Sequence, residues 1–209
     1  MIFNEIFAPP YAEKIQRILP TLFNMVELEN RRGEKLGMEV GTARERVLIA
    51  LFMYVYENKS VEFPSSTSPE EDVLVNGEPV SIKTKMGKGF SGVKLIWTVD
   101  WNKVAEFQRE FTPSSHLLFV NILWDETGVF CFIPLSAQKE ILSHLGRENY
   151  MKLPRQGTNP RGVEIASEAL NLLIEHEDSQ SLPIEWKRDT SLLREHGLYE
   201  RWIRLWDTL

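Results

Sequence analysis

Residues 42–57 read TARERVLIALFMYVYE, charged through the first turn and then apolar on every side. That pattern predicts a helix buried all round, with its polar start aimed at something. Another helix is predicted over 10–29, opened by Pro9 and Pro10 and broken or kinked at Pro20. Pro64, Pro69 and the Ser/Thr cluster between them mark 61–71 as a connector. Short alternating and apolar runs predict a meander of three strands at 72–75, 79–85 and 93–100, with glycine-rich 86–92 between the last two. A helix over 101–111 ends at Pro113, and strands at 116–124 and 129–133 flank a hairpin at 125–128. Helices over 136–145, 163–176 and 190–207 complete the chain, separated by loops at 146–162 and 178–186. Their order implies an α/β fold with a central mixed sheet flanked by helices.

Composition narrows the class. At 209 residues and 43% hydrophobic content, with no repeat and no low-complexity tract, the chain suits a single domain over 1–209. No signal-peptide pattern opens it, and no apolar run approaches the ~18–20 residues that cross a bilayer. The expectation is a soluble cytoplasmic protein with no membrane partner. Its one cysteine, Cys131 in VFCFI, allows no internal disulfide and reads as a small buried hydrophobe. His116, His144, His176 and His196 show no ligand spacing. Net charge is −6, which by itself argues against an anionic partner, but the charge is uneven. Residues 83–94 hold four lysines and no acid, 149–163 hold Lys152, Arg155 and Arg161 and no acid, and 164–209 hold ten acids against five bases. An acidic body with two basic stretches is compatible with a charged cleft.

The chemistry concentrates in 71-EDVLVNGEPVSIKTK-85. With Asn76-Gly77 as a two-residue turn, Asp72 lies opposite Ser81; with Gly77-Glu78, it lies opposite Lys83. Either register puts Asp72 and Lys83 on one face, because strand side chains alternate, whereas a three-residue loop would separate them. Val73, Val80 and Ile82 are then the core face, and the other face carries Asp72, Ser81, Lys83 and Lys85. An exposed cross-strand ion pair, worth at most about 1 kcal/mol, is one account of that face. Glu45 offers another, since it heads a stripe with Leu48, Ile49 and Phe52 at inward-facing spacing. Thr42-Ala43-Arg44-Glu45 also reads as a capping box, in which Glu45 would bond the helix start. Two carboxylates and a lysine at a sheet end suit a hard divalent cation, Mg²⁺, which takes one or two carboxylates and shares oxygens with a phosphate. A lysine there orients water and offsets charge developing on the phosphate.

A helix with a Glu, an Asp at a strand start, a hairpin and a Lys on the returning strand, then strand, helix and strand, resembles the PD-(D/E)xK nuclease core. The chain looks most like the type II restriction endonucleases of that superfamily, and the spacing of Glu45, Asp72 and Lys83 is similar to that of the ThaI family, cutters of CGCG. The resemblance covers about 38–135 as nuclease core; 136–209, a helical and base-reading part, matches only in its basic loop before a helix. It departs at two places: Pro69 and Asp72 are not adjacent, and Ser81 stands where an acid is expected two residues before the lysine. By resemblance Glu45 supplies the missing carboxylate, with Glu71 and Glu78 as lower-ranked alternatives. The resemblance implies catalytic Glu45, Asp72 and Lys83, and Mg²⁺ held by Asp72, Glu45 and the Ile82 main-chain carbonyl. It further implies hydrolysis of double-stranded DNA at a short palindrome to 5′-phosphate and 3′-hydroxyl ends, a homodimer, and a companion DNA methyltransferase. A repair nuclease with the same core and a non-catalytic DNA-binding protein of the same fold are the rival readings.

Contacts to DNA are expected at several further positions. Lys152, Arg155, Gln156, Thr158, Asn159 and Arg161 crowd a loop before a helix and suit major-groove readout, since Arg and Lys grip guanine and Gln or Asn read adenine. Lys85 and Lys88 beside the glycine-rich turn suit phosphate positioning, Arg44 and Arg46 flank Glu45 near the backbone, and Ser81 is a bystander or water ligand. Met38, framed by glycines 33, 37 and 41, suits either a minor-groove wedge or a place in the core. Leu198, Trp202, Leu205 and Trp206 form a C-terminal stripe for core packing or a dimer contact.

Overall fold

The computed structural model describes residues 3–32, 35–36, 39–57, 60–64, 71–96, 100–155 and 162–189. Met38, Gln156, Thr158, Asn159, Arg161 and the stripe from Leu198 to Trp206 lie outside them. In chain order the elements are α1 (Asn4–Phe7), α2 (Tyr11–Glu29), β1 (Arg31–Arg32), β2 (Lys35–Leu36), α3 (Val40–Tyr56), β3 (Val61–Glu62), β4 (Val73–Val75), β5 (Glu78–Met86) and β6 (Lys94–Ile96). They continue with α4 (Trp101–Glu110), β7 (His116–Ile122), β8 (Thr127–Ile133), α5 (Leu135–Tyr150), β9 (Met151–Lys152), β10 (Val163–Ile165), α6 (Ser167–Glu175) and β11 (Gln180–Glu185). Among the described residues no helix is long and apolar enough to cross a membrane.

Six strands form the central sheet in the order β11-β8-β7-β5-β4-β3. β5 and β7 run parallel and every other neighbouring pair is antiparallel, so the sheet is mixed, as the element order implied. A parallel pair needs a long crossover, and residues 87–115 provide it through β6 and α4. Both faces of the sheet are covered. Phe23, Phe52, Val80, Ile82, Phe130 and Trp186 belong to the core on the side of α1, α2 and α3. Leu117, Phe119, Cys131, Ala137 and Leu170 belong to the core beneath α4, α5 and α6. β5, in the middle of the sheet, sends Val80 and Ile82 into the first of these cores.

Several expectations are corrected. β6 does not continue the meander; it joins a separate three-stranded sheet, β6-β10-β9, in which Glu164 is registered with both Lys94 and Lys152. Residues 163–165, expected to open a helix, form strand β10 because Val163 and Ile165 bury on one side of Glu164, and α6 starts only at Ser167. The expected loop over 178–186 contains β11, an edge strand, the position in a sheet that tolerates Pro183. The expected loop at 146–162 begins with the last turn of α5, beyond a break at Gly146 (φ 73°), and with β9. The connector at 61–71 opens with the short strand β3. α2 runs on through Pro20.

Candidate active site

The hairpin takes the first of the two registers considered. Val75 pairs with Glu78, Leu74 with Pro79 and Val73 with Val80, so Asn76 and Gly77 are the two turn residues. Both have positive φ, 52° and 79°, the mirror-image turn that matches strand twist. At the open end of the hairpin the ladder slips by one, and the Asp72 N–H bonds the Val80 carbonyl at 3.0 Å. β4 stops there, leaving the edge of β5 beyond Val80 facing the Asp72 side chain.

That side chain takes up the strand's backbone valence. Asp72 Oδ2 accepts from the Ile82 N–H at 2.6 Å and from the Ser81 hydroxyl at 3.2 Å. Lys83 Nζ stands 3.6 Å from the same oxygen, close enough for charge attraction but too far for a hydrogen bond. Among the described residues no donor reaches Oδ1. The N–H and C=O of an extended residue lie on the same side of the strand, so the Ile82 carbonyl faces the Asp72 side too. Asp72 and Lys83 are about a quarter exposed, which makes the site reachable from solvent without being dispersed in it.

α3 delivers the third group. It begins at Val40, two residues earlier than the polar pattern suggested, and has no side-chain N-cap. Thr42 and Glu45 are therefore interior residues, and the capping-box account of Glu45 is corrected. Burial pushes the Glu45 carboxyl up, the charge of Asp72 pushes it further, and Lys83 and Arg46 pull it back, leaving it above the ordinary range. Among the described residues no cluster of three or more His, Cys, Asp or Glu side chains could hold a metal. A set of two carboxylates with one backbone carbonyl fits Mg²⁺, which binds through one or two carboxylates and keeps several waters. Glu71 is half-buried just before Asp72, and Glu78, at the turn, stands 3.5 Å from His116 Nε2.

The expected DNA contacts divide. Arg44 is a correction: its side chain is 6% exposed and donates at 2.5 Å to Glu27, which is 0% exposed, so it faces α2 and not a ligand. Burial lowers the Arg44 pKa, and Glu27 opposes that change. Arg46 is exposed. Ser81 is buried against Asp72. Lys85 folds over the glycine-rich turn and donates to the Gly87 and Lys88 carbonyls at 3.1 and 3.2 Å. The Asn121 amide also donates to Gly87, and the Gly87 N–H to Ile122, so β7 anchors this turn. Lys88 is 77% exposed and pairs with Glu126 at 2.8 Å. Lys152 is 61% exposed, 3.5 Å from Glu164, and Arg155 is exposed a few residues along.

Two charged clusters escaped the sequence reading. Glu27 accepts from Arg44, from the Trp124 indole at 2.9 Å and from Arg188 at 3.0 Å. Its signal was an acid on the stripe of Leu19 and Phe23. Glu164 bonds Lys94 and the Gly92 N–H and faces Lys152, joining the glycine-rich turn to both ends of the β9–β10 connection. Its signal was a lone acid between Val163 and Ile165.

No curated protein matches the chain. A restriction endonuclease solved in complex with substrate DNA is 42% identical to it, with a TM-score of 0.90 over 99% of each chain. The family model described as restriction endonuclease ThaI matches residues 10–208. The chain belongs to the ThaI restriction endonuclease family.

Proposed function

We propose that this restriction endonuclease hydrolyses double-stranded DNA with Mg²⁺ at the centre formed by Asp72, Glu45 and Lys83. The observation that carries the reading is Asp72, held on the β5 edge by the Ile82 N–H at 2.6 Å with Lys83 at 3.6 Å from the same oxygen. Asp72, Glu45 and the Ile82 carbonyl would hold the cation, which supplies Lewis-acid polarisation of the phosphodiester and a lowered pKa for attacking water. Ile82 and Ser81 fix the Asp72 carboxylate before substrate arrives, so little reorganisation remains for the reaction. The Lys83 ammonium, not committed to a hydrogen bond with Asp72, is available to orient the attacking water and to offset charge on the phosphoryl oxygens. Water adds to phosphorus in line with the 3′ oxygen, which departs with a proton, leaving 5′-phosphate and 3′-hydroxyl ends.

The nuclease core spans about 38–135, and the base-reading part follows it, with Lys152 and Arg155 at the root of the β9–β10 connection. A homodimer acting on a short palindrome, CGCG by family resemblance, suits two-fold symmetric reading. A methyltransferase specific for the same site would protect the host DNA in the cytoplasm. The test is digestion of a plasmid with Mg²⁺ and sequencing of the ends, set beside the Lys83→Ala variant. That variant is expected to lose cleavage while binding duplex in Ca²⁺ as the parent does. Undiminished cutting by Lys83→Ala would sink the assignment.

A further inference from the structure

We propose that Arg44 is a positioning residue of the cation site: anchored on the buried Glu27, it holds the start of α3 so that Glu45 stays beside Asp72. The inference rests on the reading of Glu45 as a cation ligand. Arg44 and Glu45 are consecutive on α3 and project about 100° apart; Arg44 reaches Glu27 on α2, and the charges of Asp72 and Lys83 act on Glu45. α3 packs against β4 and β5 as well as α2, and its N-terminal end makes no side-chain cap bond. A helix end without such a bond frays or tilts more readily. The bond to Glu27 opposes that movement. It joins α3 to the last turns of α2 across the connection over residues 30–39, and Arg44 also lies over the Phe23 ring, 5.8 Å from its centroid.

The cluster is a poor device for stability alone. A buried ion pair is often no better than apolar residues of the same volume. Here one carboxylate serves two arginines, and the Arg44 Nε finds no acceptor among the described residues. What such a cluster does supply is direction, because a guanidinium accepts few geometries around a fixed carboxylate. Arg188 provides an internal control. It pairs with the same Glu27 at 3.0 Å and stacks 4.4 Å over Trp124, yet it belongs to the segment after β11 and not to α3.

The experiment uses the full chain bound to duplex carrying the wild-type cleavage site, with Ca²⁺ titrated calorimetrically into the complex and DNA affinity measured separately in EDTA. Arg44→Met leaves Glu27 its Arg188 and Trp124 donors, so the fold is expected to survive with a lowered Tm. Ca²⁺ affinity is expected to fall about 10- to 100-fold in Arg44→Met, as for residues that orient a metal ligand, and at least as far in Glu45→Gln. Arg188→Met is expected to lower Tm comparably while changing Ca²⁺ affinity by less than about twofold, and metal-free DNA affinity should be unchanged in the two arginine variants. Wild-type Ca²⁺ affinity in Arg44→Met, or equal weakening in Arg188→Met, overturns the inference. Wild-type Ca²⁺ affinity in Glu45→Gln instead overturns the ligand reading beneath it.

Discussion

Glu164 shows what one residue contributes when its neighbours are fixed by strand register. Burial pushes its carboxyl up, but the hydrogen bond and charge of Lys94, the charge of Lys152 and the Gly92 N–H together hold it below the ordinary range. An acid depressed on folding stabilises the folded state above its unfolded pKa, and that contribution disappears as pH falls through the lower folded value. Wild type should therefore lose more stability between about pH 6 and pH 3 than Glu164→Gln, by about 1 kcal/mol or less. Urea titrations across that range measure it, and parallel curves for the two proteins would mean that the cluster adds nothing. The same logic of register explains why Asp72 and Lys83 were readable beforehand. Period-two alternation along 71–85 fixed their shared face, whereas the contact of Asp72 with the Ile82 N–H depends on a slip in the ladder that no alternation reports.

At the scale of elements, β8 is held on both sides, by β7 and by β11. Gly128 sits there against Ile184, and a Cβ added to it would lie 2.2 Å from the Asn121 carbonyl oxygen and 2.5 Å from the Trp186 Nε1. The first of those atoms is backbone and cannot turn away. Gly128→Ala should cost about 1–3 kcal/mol, the usual range for forcing extra volume into a packed core. Urea denaturation of the metal-free protein tests this, and an unchanged midpoint would show that β7 yields at that point. Elements whose own pattern sets them were legible: α3 from its apolar run, β5 from alternation, β7 and β8 from β-branched and aromatic content. Those set by a distant partner were not. Residues 163–165 resemble a helix start until β6 and β9 pair with them, and Pro183 disguises β11 because only a sheet edge accommodates it. Arg44 was misread for a related reason: helical spacing shows that it differs in direction from Glu45, but not that α2 supplies a buried acid on that side.

Over the whole molecule a net charge of −6 must be reconciled with a polyanionic substrate, and the arrangement of the lysines does so. Lys83, Lys85, Lys88 and Lys94 follow one another along β5, the glycine-rich turn and β6, and in the small sheet Lys94 and Lys152 flank Glu164 from either side. They differ in how much of their charge is already engaged. Lys94 is held by Glu164 with its side chain only 18% exposed, and Lys85 is turned onto backbone carbonyls. Lys152 extends to 61% exposure with Glu164 a looser partner at 3.5 Å, so it is the lysine of this small sheet best placed to reach a phosphate. Each phosphate neutralised by the protein releases condensed counterions and adds about 0.9 to the slope of log K against log salt. Lys152→Gln should therefore reduce that slope by about one and weaken cognate and random duplex alike, because phosphate contacts carry no sequence information. Lys94→Gln should leave the slope nearly unchanged, its charge being neutralised within the protein. Fluorescence anisotropy of labelled duplex in Ca²⁺ over a salt series distinguishes them. An unaltered slope for Lys152→Gln would move the DNA path off this sheet, whereas a loss confined to the cognate sequence would make Lys152 a base reader instead of a backbone contact.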